Sequence, residues 1–332
     1  MIKRLLVLML AGVTFVSCEY KDLCYDHDHS KDENLQLVLD LKLDLELELM
    51  QDLDVDIDIQ TKIDVPEYMS ANFYSPESGN LSSKDFVRGY GGPLSTAPGV
   101  YDMVVYSFGT EYVKIRGEGN INTLEAYTSD ITATKRSTLR ALTRGSTDED
   151  EPQGPVIYAP DHLLVARERV IIPEWYGTNK LIRIYARAAT IVETYSFEVH
   201  SVIGTEYIES CEAYVTNQAR SSFFGRGELN TEPATICFPV GVDKKKGCLY
   251  TTFNTFGKLP GDSHSYLHIL IRDVSGREYH ISTDITDQFE KKDHHILIEE
   301  PVEIPKPEAA EGGGLVPSVE QWQEEIHDVG IG

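Results

Sequence analysis

The sequence predicts an all-β protein built as two β-sandwiches in series. Three observations carry that prediction. Apolar residues recur at every second position, most plainly from Leu35 to Leu49, where all eight odd positions are leucine. Turn formers break the chain at short intervals, as at Pro76, Gly79-Asn80, Gly91-Gly92-Pro93 and Pro98-Gly99. No long segment keeps the 3.6-residue period of an amphipathic helix.

The stretch "LQLVLDLKLDLELELMQDLDVDIDIQ" (35–60) comes first. Leucines at every second position scatter around a helix but line one face of a strand. Leu, Glu and Lys are good helix formers, yet the binary pattern outweighs local propensity. The series resumes at Leu53, Val55, Ile57 and Ile59, with Asp52, Asp54, Asp56 and Asp58 interleaved. One strand of that length would exceed any ordinary strand several-fold, so a fold-back is required. The apolar series lapses at Gln51, which places a turn at Met50–Asp52. Antiparallel pairing around it sets Glu48 opposite Asp54, Glu46 opposite Asp56 and Asp44 opposite Asp58. Like charges across a ladder repel and invite a cation. The stretch nevertheless lacks the glycine and the spacing of a calcium loop, and an acidic outer face also discourages edge-to-edge association. A hairpin with a leucine face inward and a solvated acidic face outward is the simpler reading.

Further strands are expected at 68–75, 99–108, 111–118 and 124–134, then at 179–190, 196–202, 234–240 and 248–256. "YLHILIRDVSGREYHISTDIT" (266–286) reads as a hairpin turning at Ser275-Gly276. The polar stretch "RGSTDEDEPQGP" (144–155) reads as a linker. The resulting plan is an N-terminal sandwich over 34–143, a linker over 144–160, a C-terminal sandwich over 161–302 and a tail over 303–332.

The beginning of the chain specifies its destination. Lys3 and Arg4 precede an apolar run, Leu5–Val16, too short to span a bilayer but suited to a secretory signal. The run ends at Phe15-Val16-Ser17-Cys18, which resembles the lipobox of bacterial lipoproteins, although Phe15 stands where leucine is usual. Residues 1–17 are then a signal peptide, Cys18 is the lipidation site, and 18–33 form a tether. Acyl chains on Cys18 hold a protein at a membrane without a transmembrane helix. The mature chain carries 28 basic against 54 acidic residues, a charge of −26. Such a field excludes nucleic acid as a general partner. Cys24, Cys211, Cys237 and Cys248 are too few for a disulfide-stapled scaffold.

No constellation of catalytic residues emerges, and no cofactor motif. Cys24, His27 and His29 in "CYDHDH" are metal-capable side chains, but a solvated tether explains them. His294 and His295 alternate across a strand and so point apart. His264 and His268 flank a strand start with no obvious acidic partner. Trp175 and the tyrosines are able to stack on sugars, and equally to fill a sandwich core. Lys135, Arg136, Arg140 and Arg144 form the one basic cluster of the mature chain, in a loop open to cleavage.

"CEYKDLCYDHDH", "APGVYDMVVYSFGTEYVKIRG" with "TLEAYT", "GREYHISTDITDQ" and "GGGLVPSVEQWQEEI" together resemble a Bacteroides lipoprotein family of unknown function. That family is related to the FimB-like fimbrial anchor and assembly lipoproteins. The resemblance implies two transthyretin-like (Ig-like) sandwiches, attachment to the outer membrane through Cys18, no enzyme activity, and fimbrial subunits or other surface proteins as partners. It further implies joining by strand addition, in which an extended segment completes a partner's sheet. In the tail, Gly312–Gly314 lets the chain swing, and Ile326, Val329 and Ile331 are able to fill pockets. A tail packed on its own domain with Trp322 as the plug is the other option. A glycan-binding surface lipoprotein, accessory to polysaccharide uptake, is the alternative function. Exposed coplanar aromatics would favour it, and an open sheet edge would favour strand addition.

Overall fold

The computed structural model describes residues 35–47, 62–131, 154–174, 180–259 and 263–307 apart from 290, 292 and 293, together with 137 and 261. Strands are numbered in chain order. The first ten are β1 (Leu35–Leu43), β2 (Tyr68–Tyr74), β3 (Leu81–Arg88), β4 (Gly91–Leu94), β5 (Gly99–Ser107), β6 (Val113–Arg116), β7 (Glu125–Thr128), β8 (Val156–Tyr158), β9 (Leu164–Ile172) and β10 (Lys180–Thr190). There follow β11 (Glu193–Val199), β12 (Val202–Ile203), β13 (Ile208–Ala219), β14 (Ser221–Phe223), β15 (Glu228–Leu229) and β16 (Pro233–Pro239). The last are β17 (Gly241–Asp243), β18 (Cys248–Thr255), β19 (Tyr266–Asp273), β20 (Glu278–Asp284), β21 (His295–Ile298) and β22 (Val302–Glu303). The all-β expectation holds, and the hairpin at Ser275-Gly276 forms as β19 and β20.

The leucine ladder does not fold back on itself as a self-paired hairpin. β1 runs parallel to β10, from Leu35 opposite Lys180 to Leu43 opposite Ala188. Its other edge pairs antiparallel with β4, Leu37 to Asp40 against Leu94 to Gly91. β1 is therefore an interior strand, with Leu37, Leu39 and Leu41 buried. The chain does return, but Glu46 bridges Lys62 rather than Asp56. Asp44 donates its backbone N–H to Ala188 rather than facing Asp58. The proposed turn at Met50–Asp52 lies outside the described residues. Period two located the leucine face; the partners of the strand were set by edges elsewhere in the chain.

With β1 in place, seven strands close on themselves in the order β1-β10-β9-β5-β2-β3-β4. The first body is thus a closed ring of two continuously paired sheets, β10-β1-β4 and β9-β5-β2-β3, joined at Arg88–Gly91 on one side and by two residue pairs on the other. Its interior holds Leu39, Met69, Phe73, Met103, Ala166 and Ala188, all at most 2% exposed. Closure requires Gly91, whose φ is +103° and whose missing Cβ would stand 2.0 Å from the Leu39 carbonyl oxygen. Sequence reading took Gly91-Gly92-Pro93 for a turn alone and so missed β4.

The second body is the expected sandwich. One sheet has the order β17-β18-β11-β21 and the other β20-β19-β13-β16-β8. Between them pack Phe197, Ala213, Ile236, Leu249, Ile269 and Ile296, each fully buried. Phe238 and Phe253 stack across this core with centroids 4.4 Å apart.

A third layer, β15-β14-β7-β6, covers the outside of the barrel wall. Beneath it lie Val104, Tyr106 and Val165, which alternate with inward Met103, Val105 and Ala166. Burial on both faces explains why "MVVY" in β5 is continuously apolar. β14 and β15 come from the chain between β13 and β16 of the sandwich, so this layer joins the two bodies.

The sheets divide the chain differently from the plan with a linker at 144–160. Within that span β8 pairs parallel with β16 of the sandwich. Beyond it β9 and β10 return to the barrel, and the sandwich proper begins at β11. A linker composition reports exposure of a segment, not which sheet the strands after it will join.

Glu125 on β7 fastens the third layer. Its carboxylate accepts hydrogen bonds from Arg116 Nε at 2.6 Å, Arg116 Nη2 at 2.9 Å and Ser221 Oγ at 2.5 Å. Burial pushes the Glu125 carboxyl up, but Arg116 and Ser221 outweigh it and hold it below the usual range. A depressed folded value contributes stability above the ordinary glutamate range, lost as pH falls through the folded value. Glu125→Gln is therefore expected to flatten the acid limb of a urea-midpoint profile taken from about pH 7 to pH 3. Leu39→Ala is expected to cost about 2–5 kcal/mol in denaturant unfolding, and Gly91→Ala to destabilise the barrel by straining β4 away from β1.

Candidate functional site

The residues that sequence reading singled out do not converge. Cys18, Cys24, His27, His29, Lys135, Arg136, Arg140, Arg144, Trp175 and the tail positions Gly312–Gly314, Trp322, Ile326, Val329 and Ile331 lie outside the described residues. Cys211, Cys237 and Cys248 are buried thiols in separate places. Burial pushes the Cys211 thiol up to about 12, which leaves it unreactive. His294 stacks on Tyr195 while His295 hydrogen-bonds Ser196, so the pair does point apart. His264 has the acidic partner that sequence did not supply, with Nδ1 2.8 Å from Asp284 Oδ2. His268 is buried against His280. Among the described residues no group of three or more His, Cys, Asp or Glu side chains is arranged to hold a metal ion.

The acidic ladder is not a cation site in its described part, because arginines already face it. Arg183 Nη1 donates to Asp40 Oδ2 at 2.8 Å, and Arg187 Nη2 donates to Asp44 Oδ2. Both arginines project from β10; Arg183 lies two positions before Tyr185, the register partner of Asp40, and Arg187 lies next to Ala188, whose carbonyl accepts the Asp44 N–H. Parallel pairing of "DLKLD" with "RIYAR" brings the opposite charges together.

Exposed aromatics form two pairs. Tyr112 and Tyr158 stack on each other at 5.2 Å, each ring covering one face of its neighbour. Phe86 and Phe108 meet edge to face at 5.5 Å. Neither pair lays two free ring faces side by side.

The backbone offers a more distinctive feature. β9 pairs without interruption with β5, from Gly99 opposite Ile172 to Tyr106 opposite Val165. β10 pairs without interruption with β1. Between β9 and β10, however, only Val165 opposite Ala189 and Leu164 opposite Thr190 are joined. Among the described residues, the edges from Ala166 to Ile172 and from Leu181 to Ala188 face each other unpaired.

The residues explain why this seam stays open. Leu164, Ala166, Val170 and Ile172 turn inward along β9, and period two puts Glu168 on the same side. Zipping the two strands would bury that carboxylate, which is costly without a charged partner. An inward-turned charge is a known guard of strand edges. Across the gap Ile184, Ala186 and Ala188 turn inward from β10. Glu168, Tyr185, Ala186 and Leu41 share the lining of a depression of about 800 Å³. On the outer surface beside it, Ile171 is 72% exposed and Tyr185 is 70% exposed.

β20 is the other long open edge, at the end of its sheet. It offers an added strand one ladder, whereas the seam offers two and a completed barrel. Sequence reading missed both β9 and the seam. The signal was present in "RER" (167–169), a charged triplet inside an otherwise apolar strand.

A family model described as a domain of unknown function, DUF5119, matches residues 42–239. A Bacteroides ovatus protein named as a fimbrium anchoring subunit, Fim4B, is 27% identical over 191 residues, which cover 57% of this chain and 52% of that protein. The chain thus spans about half the length of this relative. Among solved structures, one from Bacteroides ovatus named as an adhesin aligns with a TM-score of 0.57 at 21% identity, covering 86% of this chain and 98% of that one. Another, from Bacteroides thetaiotaomicron and named as a polysaccharide-binding protein, aligns at 0.50 with 11% identity, covering 81% and 92%. At these identities the two structures share the fold alone.

If Arg183 and Arg187 hold β1 in register, reversing both to glutamate sets like charges against Asp40 and Asp44. The double variant is expected to unfold at a lower denaturant midpoint and to be cut sooner near β1 in limited proteolysis. Unchanged stability and cleavage would remove the charge pairs from the account of closure.

Proposed function

The chain belongs to the DUF5119 family, and from that premise we propose that it is an outer-membrane lipoprotein that anchors or helps assemble a fimbria-like or adhesive surface structure. Cys18 carries the lipid, the tether of 18–33 spaces the body from the membrane, and the folded body meets fimbrial subunits or other surface proteins. The contact is made by strand addition and involves no catalytic step.

The observation that carries this reading is the seam. The first body joins β9 to β10 at only two residue pairs and so presents two rows of backbone donors and acceptors to an incoming strand. The anchoring relative supports the role, since its name makes that protein a fimbrium anchoring subunit. The glycan-binding alternative draws no comparable support from the aromatic pairs, whose faces are turned on each other.

Two measurements test the proposal. Cys18→Ala is expected to move the protein from the membrane fraction to the soluble fraction of lysed cells. A variant that still sediments with membranes would remove the lipid anchor from the reading. Crosslinked purification of the lipidated protein from intact cells is expected to bring down filament subunits; glycan importers without any filament subunit would favour the alternative.

A further inference from the structure

We infer that His162, while uncharged, latches the first body to the sandwich, and that mild acid releases the latch by charging its imidazole. The device does not depend on the seam or on the anchoring reading.

The latch sits where the chain passes from one body to the other. β10 ends at Thr190 in the first body and β11 begins at Glu193 in the sandwich, so only Ile191 and Val192 separate them. The connection between β8 and β9 crosses this point and is fixed to both sides. Its Pro160 carbonyl accepts a hydrogen bond from Asn254 Nδ2 of β18 at 2.9 Å, and its Leu163 carbonyl accepts the Ile191 N–H at 3.0 Å. Between those two contacts His162 is half-buried and places one ring nitrogen on each body. Nδ1 lies 3.2 Å from Thr190 Oγ1, and Nε2 lies 3.3 Å from Thr194 Oγ1.

The partners decide which nitrogen carries the proton. Thr194 gives its hydroxyl hydrogen to Asn254 Oδ1 at 2.8 Å, so towards His162 it can only accept, and Nε2 is the donor. Nδ1 is then the acceptor of the Thr190 hydroxyl. A neutral imidazole thus meets both threonines, with one donor and one acceptor. A second proton, on Nδ1, turns that acceptor into a donor and sends the Thr190 hydroxyl hydrogen to the Val192 carbonyl, 3.2 Å away. The new charge is then held in a half-buried site that offers it two hydroxyl groups as partners.

The carboxylates nearby do not reverse this. Asp161, on the same connection, already accepts the backbone N–H groups of Tyr112 and Val113. Asp64, Glu67 and Glu111 share with His162 the lining of a cavity of about 710 Å³, but all three are exposed and so screened by water and salt. Past the two threonines, Asp44, Glu46, Glu193 and His294 line a second cavity. There Asp44 is paired with Arg187, and Glu193 accepts the Tyr195 hydroxyl. Among the described residues no lysine or arginine lines either cavity. Burial pushes the His162 imidazole below its usual range, and Asp161 offsets this only in part.

A depressed folded value makes the latch fully stabilising above the ordinary histidine value of about 6.5. That stability is lost as pH falls through the folded value. Glu125, held below the usual carboxylate range, still fastens the third layer at such a pH. Mild acid therefore loosens one junction between the bodies and leaves the other tied.

NMR of the full-length protein with carbon-13 at histidine Cε1 reports the titration, and the His162 signal is the one lost in His162→Gln. It is expected to titrate below about pH 6.5; titration at or above that value would overturn the inference. Release is read by amide hydrogen exchange at about pH 7 and about pH 5.5, expressed as protection relative to the unstructured chain. Protection of 190–194 is expected to fall at least about three-fold at the lower pH, with that of 213–215 in the sandwich core unchanged. Glutamine offers a donor and an acceptor but takes up no proton, so in His162→Gln the same amides should keep their protection at both pH values. Should that variant fail to fold, Asp161→Asn identifies the signal by lowering its titration further, and the native protein's titration and exchange decide the matter. Equal protection of 190–194 at the two pH values would overturn the latch, as would an equal fall in His162→Gln. A fall that extends to 213–215 would also overturn it, because general unfolding would then replace a local release.

Discussion

A strand edge cannot be left with unpaired backbone groups except where water or another strand reaches it, and this constraint shapes the whole molecule. β10 and β4 would each expose an edge if the chain began at β2. β1 removes both at once by lying between them. The leucines then fill the barrel, and the aspartates fall beside Arg183 and Arg187 rather than beside other aspartates. The acidic ladder that looks like a cation site in isolation is one half of a charge-matched pair of strands. Between β9 and β10 only two residue pairs form, and an exposed carboxylate, Glu168, stands at that junction.

The same constraint ties the two bodies together. β8 leaves the barrel's part of the chain to pair with β16, and β14 and β15 leave the sandwich's part to join β7. Each crossing supplies an edge strand to a sheet that its sequence neighbours do not belong to. Glu125 and its partners Arg116 and Ser221 fix one of these junctions with charge-assisted hydrogen bonds. The result is an interleaved pair of bodies whose sheets depend on each other for closure.

Much of the all-β character was legible because period two is a local property. The strands at Tyr68, Gly99, Lys180, Cys248 and Tyr266 begin within two residues of where alternation and turn residues placed them. Long-range pairing was not legible. The ladder of 35–59 reads as a hairpin because the nearest strand-like segment is its own continuation, while its actual partner β10 lies far along the sequence. β4 was hidden by Gly91, Gly92 and Pro93, residues that mark turns in most contexts but here permit close approach to Leu39. β9 was hidden by Arg167, Glu168 and Arg169, which break the apolar pattern. Both oversights have functional weight, since β4 closes the barrel on one side and β9 opens it on the other. Cys18 was legible from its local pattern alone, and its role stands as a proposal.

The central claim is that the opening beside β9 is a docking place for a strand of a surface-fibre subunit. A photo-reactive benzophenone side chain at Ile171, in the lipidated protein on intact cells, tests it directly. The account predicts that light joins this position to one short extended segment of a filament subunit, at residues spaced by two. Attachment to polysaccharide, or only to residues 48–61 of the same chain, would contradict it.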